Sequence, residues 1–237
     1  FSLKLNNFNF IYHYTFRVYL KIMSIQINYK KNPKNVSQNN LILFSNEKFD
    51  LKPLKKYMSN SDYKFISDLI KTKNLKQKIL IFDLSSKKKI ILIALKQNIS
   101  PSSVEKLGAK FYDLFKDLKQ TEYNLNSDSE TSKLKNLTGY FLHGLKLKSY
   151  MFDKYKTKKN KKNISILVSG KNKPSVKDQI RFKAIEDGTF YTRDLVSEPG
   201  NILHPDEYAK RLKLLSKDGL KISLYDEKKL KKMGMNT

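Results

Sequence analysis

The sequence predicts an α/β protein, with a mixed sheet flanked by helices and then a linker into the start of a second α/β unit. Three observations lead there. Short, almost wholly apolar runs recur at 41–45 (LILFS), 79–84 (ILIFDL), 90–95 (IILIAL) and 164–169 (ISILVS). Segments with helical spacing of apolar residues lie between and after them. At 193–205 the pattern breaks on Pro199, Gly200 and Pro205, and a new helix–strand–helix run follows.

The four runs are too apolar to leave one sheet face in water, which suits strands covered on both sides. The pair 79–84 and 90–95, joined by Ser85-Ser86-Lys87-Lys88-Lys89, reads as a hairpin. A helix is expected from Pro101, with Ser102 and Glu105 at capping-box spacing and Val104, Leu107, Phe111, Leu114, Phe115 and Leu118 on one stripe. A second helix is expected over 131–150, turning Leu134, Leu137, Phe141 and Leu145 inward. A third, over 176–196, carries Ile180, Ala184, Ile185, Tyr191 and Leu195. The lysine-rich stretch 154–163 reads as a solvated connection. A helix then starts at Pro205, with Asp206 and Glu207 facing its positive end. Gly219 stops it, 220–225 (LKISLY) reads as a strand, and Asp226 caps a short helix ending near Gly234.

Composition limits the function. The chain has 237 residues, a net charge of +26 and no cysteine, which excludes disulfides, thiolate metal sites and a cysteine nucleophile. Of its 48 basic residues only Arg17, Arg181, Arg193 and Arg211 are arginine. Specific phosphate and base contacts favour the planar arginine fork, so this lysine excess reads as solvated surface. Weak, salt-dependent, sequence-blind attraction to nucleic acid is all that the charge implies. Residues 1–22 are interrupted by Asn6, Asn7, Asn9, His13 and Arg17, so they fit neither a signal peptide nor a span of roughly 20 apolar residues. They are expected to be non-native upstream sequence or disordered, with Met23 as the natural start.

No self-contained catalytic motif is present: no glycine-rich phosphate loop, HExxH or GxSxG. His13, His143 and His204 are far apart, His143 within an amphipathic helix and His204 at a helix start. The pairs Asp206-Glu207 and Asp226-Glu227 sit where dipole compensation accounts for them.

The stretch RDLVSEPGNILHPDEYAKRLKLLSKDGLKISLYDEKKLKKMGM (193–235) resembles the linker and first catalytic-domain segments of leucyl aminopeptidases, the two-metal cytosol aminopeptidase family. Upstream, GYFLHGLKLKSYMFDKYKTKK (139–159) is similar to that family's segment with an aromatic-Phe-Asp-x-Tyr-Lys core; from Met23 to about 135 only the order of elements agrees. Ser197 stands where the family has Asn, and His204 where it has a capping Thr. The resemblance implies a macro-like N-terminal α/β domain at 23–175, a linker helix and connection at 176–204, and the truncated start of the peptidase domain at 205–237. It further implies a cytoplasmic enzyme that releases N-terminal residues from peptides as a hexamer, using two divalent ions (Mn or Zn). The family's metal-ligand motifs have no match here, so no catalytic, cofactor-binding or metal residue is assigned. By itself the chain is expected to be inactive and monomeric. The alternative is a binding module, with a macro-like nucleotide pocket or a DNA-contacting surface.

Overall fold

A computed structural model describes residues 25–29, 40–119, 121–157 and 163–235. The chain divides into two compact units, Phe1–Asp187 and Gly188–Thr237.

The first unit is built on six strands: β1 (Ile25–Tyr29), β2 (Asn40–Asn46), β3 (Ile79–Asp83), β4 (Lys89–Leu95), β5 (Glu122–Asn126) and β6 (Ile164–Ser169). Their order across the sheet is β1-β6-β5-β2-β4-β3. Every neighbouring pair is parallel except β3 with β4, the expected hairpin. Its turn is closed by the Leu84 N–H donating to Lys88 O at 2.9 Å, and Ser85 Oγ accepts from the Lys87 N–H at 3.2 Å.

Both faces of the sheet are covered, as the apolar runs require. One face gathers Ile42, Phe44, Ile91, Ile93, Leu125 and Ile166 against α2 (Pro101–Phe115) and α3 (Leu137–Lys148). The other gathers Leu41, Leu43, Leu80, Phe82, Ile90 and Leu92 under a short 3-10 turn, Lys52–Tyr57, and α1 (Asn60–Leu69). Alternate residues of β2 and β4 therefore feed two separate cores.

α2 and α3 cross at glycine. A β-carbon on Gly108 would collide with the Phe141 carbonyl oxygen, and one on Gly144 with the Glu105 carbonyl oxygen. Phe141 lies at the crossing, its ring 5.4 Å from Phe44 edge-on and 5.5 Å from Phe111.

Several expectations change. The cap of α2 is Ser100, whose hydroxyl accepts from the Ser103 N–H at 3.3 Å, and not the Ser102–Glu105 pair. Pro101, with its fixed φ and no N–H, already occupies the first helical position, so Ser102 lies inside the helix. Leu114 is exposed, and the Phe115 side chain falls outside what is described. α3 begins at Leu137, not near 131: Ser127–Ser129 forms a 3-10 turn and Asn136 is left-handed at φ 62°. Glu130 then turns its carboxylate back to accept from the Thr138 N–H at 2.9 Å.

The expected third helix is α4 (Val176–Ser197). Ile180 and Ile185 prove exposed, while Phe182 and Leu195 are buried. The connection 154–157 contains no helix or strand, and 158–162 lies outside the described residues, as do residues 1–22.

The second unit holds the C-terminal part of α4, then α5 (Pro205–Leu214) and α6 (Glu227–Lys232). Gly219 closes the turn after α5 at φ 86°, and Asp226 accepts from the Lys229 N–H at 2.9 Å as the cap of α6. Residues 220–225 form no strand. The pattern LKISLY would suit one, but a strand exists only by pairing, and no described segment pairs with it. Leu220, Leu224 and Tyr225 are correspondingly exposed.

Candidate functional site

The segment carrying the family resemblance is organised by one arginine. Pro199 O accepts from the N–H groups of Ile202 and Leu203, both at 2.9 Å, and this turn brings the chain into α5. His204 is the N-cap but makes no side-chain capping bond; an imidazole is not among the side chains that favour this position. One turn before the end of α5, Arg211 donates from Nη1 to Glu198 Oε1 at 2.8 Å and from Nε to Glu207 Oε1 at 3.0 Å. The Glu198 side chain is 1% exposed and that of Arg211 12%, so the guanidinium meets a carboxylate taken almost wholly out of water. The Arg211 hydrogen bond leads the effects that hold Glu207 below the ordinary carboxylate range. Tyr191 OH donates to Arg211 O at 3.0 Å. The arrangement clamps the connection to the helix.

Sequence spacing missed this clamp, because Glu198 and Arg211 are thirteen residues apart, outside any local pairing rule. One signal was available. In a chain that uses lysine almost everywhere, an arginine marks a place where a planar fork is needed to serve two acceptors at once.

A second polar group lies in the first unit, where α4 meets α3. His143 Nδ1 is 3.0 Å from Glu186 Oε1, both side chains buried. The Phe182 ring packs on the imidazole with centroids 5.1 Å apart. Lys146, one turn further along α3, donates to the Ile25 carbonyl oxygen and so anchors the first residue of edge strand β1. Burial pushes the Lys146 ammonium below its ordinary range, an effect that nearby Glu186 opposes. Burial, reinforced by Glu186, pushes the Tyr29 phenol up. An open cleft of about 420 Å³ lies beside this group. His143 thus serves the contact between α3 and α4.

At the carboxyl ends of β5 and β6, where open α/β sheets commonly take ligands, the chain fills its own crevice. Gly170, at φ 103°, turns the following N–H groups inward. Lys171 N–H donates to Asp128 Oδ1 at 2.6 Å and Asn172 N–H to the same oxygen at 3.1 Å. Two successive amides of this kind would cradle an anion. Here they hold Asp128.

Among the described residues, no group of three or more His, Asp or Glu side chains could hold a metal ion. His143 and His204 do not come together in one site, and His13 lies outside the described residues. The side chains described here do not fit a two-metal centre. Among the described residues, no helix is long and apolar enough to cross a membrane.

No family model matches the chain. Curated proteins do. A probable cytosol aminopeptidase of Brucella ovis is 39% identical over 100 residues, 39% of this chain and 20% of the relative. One of Caulobacter vibrioides is 34% identical over 146 residues, 59% of this chain and 28% of the relative. The matches thus span only 20–28% of those proteins. Among solved structures, a mutant of tomato leucine aminopeptidase matches with a TM-score of 0.70 at 16% identity, covering 91% of this chain and 47% of that one. A cytosol aminopeptidase from Coxiella burnetii matches with a TM-score of 0.58 at 17% identity, covering 88% and 41%. At such identities the structural likeness establishes the fold: this α/β sheet with its flanking helices is that of part of those enzymes.

Proposed function

We propose, from the premise that this chain is the N-terminal portion of a leucyl aminopeptidase, that it serves a metallo-exopeptidase that removes N-terminal residues from peptides. Its part is the sheet domain and the connection into the catalytic domain, and it contributes no residue to the reaction. The observation that carries this reading is the segment 193–235: its sequence resembles the family's linker and first catalytic segments, and Arg211 clamps Glu198 of the connection to α5 at 2.8 Å. A resemblance that rested on composition would not explain a buried ion pair joining its two halves.

In the intact enzyme, two divalent ions, Mn or Zn, would supply the Lewis acid and the activated water. The described residues of this chain do not fit such a centre, so no step is assigned to them. A cytoplasmic location and assembly into a hexamer belong to the same reading. So do the division into a macro-like sheet domain over 23–175, a linker over 176–204 and the start of the peptidase domain at 205. The alternative of a nucleotide pocket at the carboxyl ends of β5 and β6 is disfavoured, because Asp128 already takes the amides of Lys171 and Asn172.

The test is hydrolysis of leucine p-nitroanilide by this chain with added manganese. The expected result is no turnover above that of buffer with manganese. Metal-dependent turnover that purifies with the chain would overturn the assignment.

A further inference from the structure

The geometry points to a binding site for a small diphosphate-bearing ligand in the cleft between β4 and α2, distinct from anything the peptidase reading requires. The cleft encloses about 420 Å³, within the usual range for small-molecule sites. Its floor is apolar, from Ala94, Ile99 and Leu107. Four lysines surround it: Lys78 before β3, Lys96 after β4, and Lys106 and Lys110 one turn apart on α2.

Among the described residues, Lys78 is paired with Glu47 at 2.9 Å and Lys96 lies within the field of the same carboxylate, whereas Lys106 and Lys110 belong to no ion pair. No carboxylate lines the cleft. Like charges four residues apart on a helix repel, so Lys106 and Lys110 disfavour each other until an anion lies between them and the loop. An apolar floor under a cationic rim suits a ligand with an organic body and a multiply charged phosphate end. A lysine is a point charge without a fork, so recognition rests on charge density, which a diphosphate carries and a single carboxylate does not.

A chain of net charge +26 attracts any polyanion, so the test must separate a site from a field. Inorganic pyrophosphate is titrated calorimetrically into the full chain at 50 and 200 mM salt, alongside K96Q/K110Q and K52Q/K55Q. The second pair removes the same charge from the 3-10 turn on the opposite sheet face. All four lysines are exposed, and a circular dichroism melt checks that both variants fold. The expected result is saturable one-to-one binding, weakened tenfold or more in K96Q/K110Q and less than twofold in K52Q/K55Q. Equal weakening by both pairs, or no saturation by 10 mM, would overturn the proposal. So would a short DNA duplex that binds through Lys96 and Lys110 and is not displaced by pyrophosphate, since the cleft would then serve a nucleic-acid backbone.

Discussion

Asp62 shows how single residues bias this molecule towards one pH range. Its carboxylate accepts from Lys88 Nζ at 2.6 Å, and Ser59, the cap of α1, is bonded to its backbone N–H. Burial raises its pKa, but the hydrogen bonds from Lys88 and Ser59 outweigh burial and hold the group below its ordinary 3.8. With the folded pKa below the unfolded one, the unfolded chain takes up the proton first. The stabilisation is therefore complete above about pH 5 and is lost as the pH falls through 3.8 and then through the folded value. Asp62→Asn has no such proton to bind. Urea unfolding of both proteins should show a stability gap at pH 6 that shrinks progressively as the pH falls below 3.8. A gap that stays constant over that range would assign the loss to packing. This residue was legible only in part: Ser59 and Asp62 have helix-start spacing, but Lys88 lies 26 positions away, across the sheet hairpin.

Elements that announce themselves by period were readable, and those defined by partners were not. β3, β4 and α2 carry clean apolar patterns and fall within a residue or two of where periodicity puts them. β5 reads Glu-Tyr-Asn-Leu-Asn, and its buried Asn124 looks like loop until Ser169 is seen to donate to its side-chain oxygen at 3.1 Å. The segment 220–225 errs the other way, with strand spacing but nothing described to pair with. The crossing of α2 and α3 was illegible as well, because glycine within a helix reads only as a weak position. Its role is close approach, and that sets a prediction at this scale. Gly144→Ala puts a methyl into the Glu105 backbone, which the neighbouring helix can relieve only by moving. The expected loss is about 2–3 kcal/mol, in the range for overpacked cores. Gly188→Ala, in α4, meets nothing within 4 Å among the described residues and should instead stabilise, by about 0.5–1 kcal/mol from helix propensity alone. Thermal melts of the two variants that shift in the same direction would contradict this account of the crossing.

For the whole molecule, sequence motif and structural likeness agree, and the likeness reaches well beyond the motif. The motif is densest after Arg193, in the second unit, whereas the likeness to the tomato enzyme covers 91% of the chain and so includes the sheet. The order of strands, β1-β6-β5-β2-β4-β3, could not be read from the sequence, because parallel neighbours are joined by long crossovers that leave no local trace. The charge was legible and misleading. A net +26 invites a nucleic-acid reading, yet only four of the 48 basic residues are arginine, and one of them, Arg211, is held by two carboxylates and joins Glu198 to α5. The measurement that tests the central claim most directly is a transplant. The corresponding N-terminal portion of the Caulobacter vibrioides relative is replaced by this chain, joined just after Gly234, and leucine p-nitroanilide hydrolysis is followed with manganese. The account predicts that the chimera folds and turns over substrate within about tenfold of the parent, a change of about 1.4 kcal/mol in barrier. A chimera that folds with its metals bound but does not hydrolyse the substrate would contradict it.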